Sequence, residues 1–374
     1  MKTLLYGGKV LCADGSFLES CPVMWENDRI LAVGEDCNAY TADEGLDATG
    51  KTVLPGLLDV HTHGRAGYDF ATADQAGLDT MRRDYLRHGV TGVFATLASA
   101  TVDEWLCAIE RIQASDFEGI HFEGRYLNPA KRGAHAPELI VPLDADELDR
   151  LLCKVTLPCH ISAAYELDTD GSFASCAKLH GATMGLGHTA ATASEARAAL
   201  ACGVISFTHL YNAMPPLHHR EGGAVSVALC GGGYGELIVD GVHVCPEMVA
   251  LAWRCLGKDK TVLITDSMEG TGCADGTYSI AGQPVILKNG KALTLDGALA
   301  GSTLELWDGV KNLMAFTGAT LAEAVGCATR NPARMVGMDG LLGSIEAGKR
   351  ADLLLVDENT MEICNVIAGG CRIR

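Results

Sequence analysis

The sequence is poor in proline, with 11 in 374 residues, and has no long uninterrupted apolar run. No window reaches the ~18 to 20 apolar residues of a membrane-spanning helix, so no span and no membrane partner is expected. The opening MKTLLYGGKVLCADG breaks at Gly7-Gly8 before an apolar run of signal length, so no secretory leader is expected. Positive charge is scarce too: 29 lysines and arginines stand against 47 acidic residues, a formal net charge of −18. That balance repels nucleic-acid phosphates and argues against a polyanion binder, while leaving room for one local cationic pocket. The 15 cysteines contain no C-x-x-C pair and are odd in number, so no disulfide framework is expected. Cys107, Cys202, Cys230 and Cys255 lie in apolar runs and read as reduced, buried thiols of a soluble cytoplasmic protein.

What the chain has in abundance is glycine, 44 residues spread along its length, which suits a fold with many tight strand–helix turns. Strand-like runs at 53–60, 90–98, 117–122, 157–163, 182–187, 204–208, 235–240 and 261–265 are mostly followed by helical stretches such as ADQAGLDTMRRDYLRHG and TVDEWLCAIERIQA. Eight such alternations over roughly 290 residues match the size of a (β/α)8 barrel of the TIM type. The two chain ends read instead as short strands separated by turns. The expected architecture is α/β: a catalytic barrel over 53–343 and a small β-sandwich domain built from 1–52 and 344–374. Residues 272–298 read as a hairpin-like excursion before the terminal helices.

The unusual polar residues fall at one end of that map. In VLPGLLDVHTHG, His61 and His63 end the first strand and point the same way, since successive strand side chains alternate. Glu123 follows the third strand, His188 the fifth, His209 the sixth and Asp266 the eighth. Each has a plain structural reading as a surface histidine or a helix cap. Together, six ligand-type residues at five strand ends face one crevice, at the end of the barrel where chemistry is placed. Imidazoles and carboxylates suit zinc or a similar divalent ion, and a carboxylate can bridge two metals. A carboxylate that does not bridge, such as Asp266, is placed to move the proton of an activated water, which points to hydrolysis at a C–N bond.

The segments PGLLDVHTHG, HFEGRYLNPAKRGAH, GLGHT, THLYNAM, HHREGG, DGVHV, TDSM and GSIEAGKRADLLLVD resemble, in order and spacing, the N-acetylglucosamine-6-phosphate deacetylase family of the amidohydrolase superfamily. The resemblance runs nearly end to end. It implies Glu123, His188 and His209 as the main metal ligands, His61 and His63 as holders of a second metal, and Asp266 as the acid/base. It implies His135 beside the acetamido carbonyl and Asn212 and Ala213 at the phosphate end. Arg220 and His243 would grip the phosphate from the neighbouring subunit of a homodimer. The implied metal is zinc, with iron, manganese and cobalt open. The implied reaction converts an N-acetylhexosamine 6-phosphate to amino-sugar phosphate and acetate.

The family's Glu-Gly-Pro is here Glu123-Gly124-Arg125, so Arg125 points either into the site or across the barrel rim. Its Arg-Glu-Pro-Gly is Arg220-Glu221-Gly222-Gly223, which loosens that loop. Two other readings stand beside this one: an amidohydrolase of another C–N bond, such as a cyclic amide or N-acyl amino acid, and a non-catalytic barrel acting as a ligand sensor.

Overall fold

A computed structural model describes residues 1–373. Its centre is one sheet of eight parallel strands: β1 (Leu57–Thr62), β2 (Val90–Leu97), β3 (Gly119–Glu123), β4 (Cys159–Ala163), β5 (Thr183–Leu186), β6 (Ser206–Phe207), β7 (Tyr234–Leu237) and β8 (Thr261–Leu263). Each strand pairs with the next in sequence order. The chain after β8 meets β1 and its end through side chains and main chain: Asp266 N–H donates to His61 O at 2.9 Å, His63 N–H to Ser267 O at 2.8 Å, and Thr265 Oγ1 to Asp59 Oδ2 at 2.6 Å. The result is the (β/α)8 barrel expected, with Val93, Phe122, Ile161, Leu186 and Leu237 fully buried or nearly so. Parallel strands buried on both faces read as continuous apolar runs, which is why their positions were visible without alternation.

A helix follows every barrel strand. Val102–Gln113 and Ala193–Ala201 start at capping boxes, in which Thr101 and Thr192 bond the N3 backbone and Glu104 and Glu195 bond back. Trp105 and Ile109 on the first of these pack inward against the barrel, and the indole N–H of Trp105 donates to Ala98 O.

The run expected as one strand over 53–60 is two. Lys51–Pro55 pairs with Lys9–Leu11 and Leu353–Asp357 in a six-stranded sheet, and only Leu57–Thr62 enters the barrel. Gly56 separates them because nothing larger fits: a Cβ there would lie 2.1 Å from Thr91 Oγ1. Lys51–Pro55 thus belongs to the six-stranded sheet and Leu57–Thr62 to the barrel sheet, with Gly56 between them. A second, four-stranded sheet, made by Lys2–Tyr6, Val23–Glu26, Arg29–Val33 and Glu44–Asp47, packs on the first through Leu5, Val23, Trp25, Val53 and Leu353. The 272–298 excursion is a three-stranded antiparallel sheet, Gly276–Ile280, Gln283–Lys288 and Lys291–Thr294.

The reading of four cysteines needs correction. Cys107, Cys202, Cys230 and Cys255 are exposed, whereas Cys21, Cys37, Cys159 and Cys327 are buried. Cys107 and Cys255 sit on the outer faces of barrel helices, and Cys202 and Cys230 cap two others. Apolar neighbours in sequence belong to the inward stripe of each helix, not to these positions.

Candidate active site

The barrel mouth gathers the strand-end residues around one carboxylate. Glu123 is the last residue of β3 rather than one beyond it. Its Oε1 lies 2.8 Å from His209 Nε2 and 3.3 Å from His188 Nε2. Its Oε2 lies 2.9 Å from His63 Nε2 and 3.1 Å from His61 Nε2. Asp266 closes the second group, with Oδ1 3.2 Å from His63 Nε2 and 3.4 Å from His61 Nε2. The donors thus form two sets sharing Glu123: His61, His63, Glu123 and Asp266, and Glu123, His188 and His209.

Local backbone aims these side chains. His188, His209 and Asp266 follow their strands with φ of 45°, 31° and 51°, in the left-handed region that residues with a Cβ rarely adopt. Each bend turns a side chain from the strand direction across the mouth, the kind of strain found at functional sites.

The site's chemistry fits a divalent cation. The Nε2 atoms of His188 and His209 are 3.1 Å apart. His188 Nδ1–H donates to Lys131 O at 2.8 Å, which leaves a lone pair on its Nε2, the arrangement of a metal-ligating histidine. Two nitrogens and a carboxylate oxygen separated by 2.8 to 3.3 Å have the spacing of donors sharing one ion. Burial opposes charge on His61 and His63, but Glu123 and Asp266 push both pKa values up, His63 to about 9. Burial likewise opposes charge on Glu123, yet His61, His188 and His209 keep it well below the usual carboxylate range.

A cavity of about 350 Å³ opens above these groups, lined by His63, Glu123, His135, His188, His209, Asn212, Ala213, His243 and Asp266. His135 is buried, and its pKa is pushed down to about 3 by burial and by His188. Ser99 presents its N–H (3.4 Å) and its hydroxyl (2.8 Å) to His135 Nδ1. The Ser99 N–H can only donate, so Nδ1 is an acceptor and the ring carries its proton on Nε2, while Ser99 Oγ accepts the Arg125 N–H. His243 is held at the mouth by Asp240, whose Oδ2 lies 2.7 Å from Nδ1.

One expectation shifts and one open direction is decided. His243, expected from across an interface, lines the pocket of its own chain, because the turn after β7 that carries Asp240 and His243 opens onto the same mouth. Arg125 points across the rim: its guanidinium takes both oxygens of Glu147, donates to Ala100 O at 2.8 Å and lies over Trp105. Arg220 is exposed and lies outside the cavity, beside His219.

Some of the site gave no sequence signal. Ile280, Leu299, Ala300 and Gly301, from the antiparallel excursion and the turn after it, form one wall of the cavity. Beneath the mouth lies a buried polar layer of His121, His160, Ser162, Ser206 and Glu236. Ser206 donates to Glu236 Oε1 at 2.8 Å, while Glu236 Oε2 and His61 Nδ1, both without a hydrogen bond, face each other at 3.7 Å. These residues sit inside strand-like runs, where only a polar residue at an inward position marks them.

Comparison with known proteins agrees with this geometry. The amidohydrolase family model matches residues 52–373. The chain is 35% identical over 89% of its length to an N-acetylgalactosamine-6-phosphate deacetylase of Escherichia coli O157:H7, covering 92% of that protein. It is also 35% identical over 86% of its length to an N-acetylglucosamine-6-phosphate deacetylase of Bacillus subtilis strain 168, covering 83% of it. Among solved structures, a mutant N-acetyl-D-glucosamine-6-phosphate deacetylase of Mycobacterium smegmatis, in complex with N-acetyl-D-glucosamine-6-phosphate, superposes with a TM-score of 0.91 at 31% identity, covering 100% of this chain and 99% of that one. With the shared barrel, the family match over most of its length and these relatives, the chain belongs to the amidohydrolase family.

Proposed function

We propose that this chain removes the acetyl group of N-acetylglucosamine 6-phosphate or a closely related N-acetylhexosamine 6-phosphate, releasing acetate and the amino-sugar phosphate. The observation that carries the reading is one buried carboxylate, Glu123, shared by four imidazoles, with Asp266 at its edge and a sugar-sized cavity above. The similarity to deacetylases of phosphorylated acetamido sugars supports the substrate class.

Glu123, His188 and His209 would hold the essential divalent metal, which we take to be zinc, and His61 and His63 a second one. When bound, the metal supplies Lewis-acid polarisation of the acetamide carbonyl and lowers the pKa of the attacking water. Asp266 takes that water's proton and returns it to the departing nitrogen. Positive charge beside it favours its carboxylate form: against burial, His61 and His63 keep its pKa lowered, and a cation held in their place would act in the same sense. His135 Nε2–H donates to the acetamide oxygen as negative charge grows there, and Ser99 fixes the tautomer that permits it. Asn212, Ala213 and His243 face the phosphate end; with Nδ1 engaged by Asp240, His243 presents Nε2 to that group. Arg220 would complete the phosphate grip from the neighbouring subunit of a homodimer. Fifteen free cysteines support a reducing cytoplasmic location.

The test is acetate release from the 6-phosphates of N-acetylglucosamine, N-acetylgalactosamine and N-acetylmannosamine and from the unphosphorylated sugars, with metal content measured on the same preparation. Turnover confined to the phosphorylated sugars is expected. Preference for a cyclic amide or N-acyl amino acid, or bound metal without turnover on any acetamido sugar, would overturn the reading.

A further inference from the structure

On the outside of the barrel, far in sequence from the mouth residues at β1 and β8, two neighbouring helices each offer a pair of metal-binding side chains. The helix Ala145–Leu152 carries Asp149, with Cys153 four residues on at its C-cap. The helix Ser172–Leu179 carries Cys176, with His180 four residues on at its C-cap. A spacing of four puts both members of a pair on one helix face. The helices pack side by side, each anchored inward, by Leu148, Leu151 and Leu152 on one and Phe173, Ala174 and Ala177 on the other. Their outer rims therefore meet.

We propose that Asp149, Cys176 and His180, joined by Cys153, form a second metal site for a thiophilic divalent cation of the zinc class. His180 Nε2 lies 2.7 Å from Asp149 Oδ1, and the donor atoms of Asp149, Cys176 and His180 lie within 4.8 Å of one another. Cys153 Sγ lies 3.9 Å from the other Asp149 oxygen, at the edge of that trio and one helical turn from Asp149. A surface ion pair explains His180 and Asp149 but gives no reason for a thiol one turn from each. The donor set selects the ion: two sulfurs with one imidazole and one carboxylate suit zinc and exclude magnesium and calcium, which take oxygen ligands. Bound there, an ion would staple the two helices on the outer layer, and a soft metal in excess would load this site as well as the mouth.

The sulfur ligands make the site separable from the active site, whose donors are all nitrogen and oxygen. The full chain, kept reduced, is titrated with Co2+ and followed by absorption and metal analysis. The expected result is a near-ultraviolet thiolate-to-cobalt charge-transfer band that grows with about one equivalent beyond the active-site metal. The band disappears in Cys176→Ser and weakens in Cys153→Ser, while acetate release by both variants stays at the parent level. His180→Ala loses the same equivalent of Zn2+ in a competition titration. Saturating cobalt without a thiolate band, or a band unchanged in Cys176→Ser, would overturn the proposal.

Discussion

Asp266 Oδ1 lies 3.2 Å from Nε2 of His63, within the group that shares Glu123 Oε2 and not the one that shares Oε1. Its neighbours are thus the two histidines whose loss leaves the second donor set, Glu123, His188 and His209, complete. Asp266→Asn should fold and retain the metal of that second set, yet lose at least ~10²-fold in kcat, the low end for a general acid/base. Rate and metal content measured together decide it; near-full activity would remove Asp266 from the proton transfer.

Metal loading should release protons. In the metal-free chain, Glu123 and Asp266 raise the pKa values of His61 and His63 against burial, His63 to about 9, so near neutrality these rings carry protons that an ion must displace. Affinity therefore rises with pH up to about 9 and falls as the medium is acidified. Calorimetry in buffers of different ionisation enthalpy reads the proton count directly. An affinity flat between about pH 6 and about pH 8 would contradict it.

Glu236 faces His61 from below, with Oε2 3.7 Å from Nδ1. A carboxylate behind a ligating imidazole typically contributes about 10- to 100-fold in metal affinity. Glu236→Gln keeps the volume and removes the charge. It should weaken the metal equivalent held by His61 and His63 by about tenfold while sparing the one at His188 and His209. Equal affinity for both equivalents in parent and variant would show that Glu236 only fills the barrel.

Arg125→Ala tests the rim. The change leaves Glu147 without its bidentate partner and Ala100 O without its donor, a cost of about 1–3 kcal/mol in unfolding free energy. KM for the phosphorylated sugar should hardly move, because the guanidinium turns away from the cavity. A large KM change with unaltered thermal stability would reverse that assignment.

Arg220 is testable by mixing. Asp266→Asn and Arg220→Ala chains should each be impaired, but in the proposed homodimer a mixed pair would contain one site with its own Asp266 and the partner's intact arginine. Refolding the two variants together should recover activity that neither shows alone. No recovery would mean that Arg220 does not act across an interface.

The convergence of the strand-end residues was legible because strands have a period of two and a barrel opens its strand ends to one side. His61 and His63 therefore pointed together, and Glu123, His188, His209 and Asp266 fell on the same rim. The left-handed bends at His188, His209 and Asp266 were not legible, since no residue preference marks them; histidine there is held by its surroundings. Arg125 had two directions open in the sequence, and only the acceptor Glu147, 22 residues on, settles which it takes. Glu236 was hidden for the opposite reason: its run, YGELIVDG, reads as a strand, and the inward layer it joins comes from three other strands.

The pairing of Lys51–Pro55 with Leu353–Asp357 sets the order in which the molecule can be finished. During synthesis the segment leading into the barrel leaves the ribosome before any barrel strand, while its partner emerges only after all eight. Until then Val53 lacks the facing Leu355, and the strand's edge stays open to solvent or to a chaperone. A chain released before residue 353 would carry every candidate metal ligand and still leave its six-stranded sheet unpaired at Lys51–Pro55, so quality control can read that defect from an edge far from the chemistry.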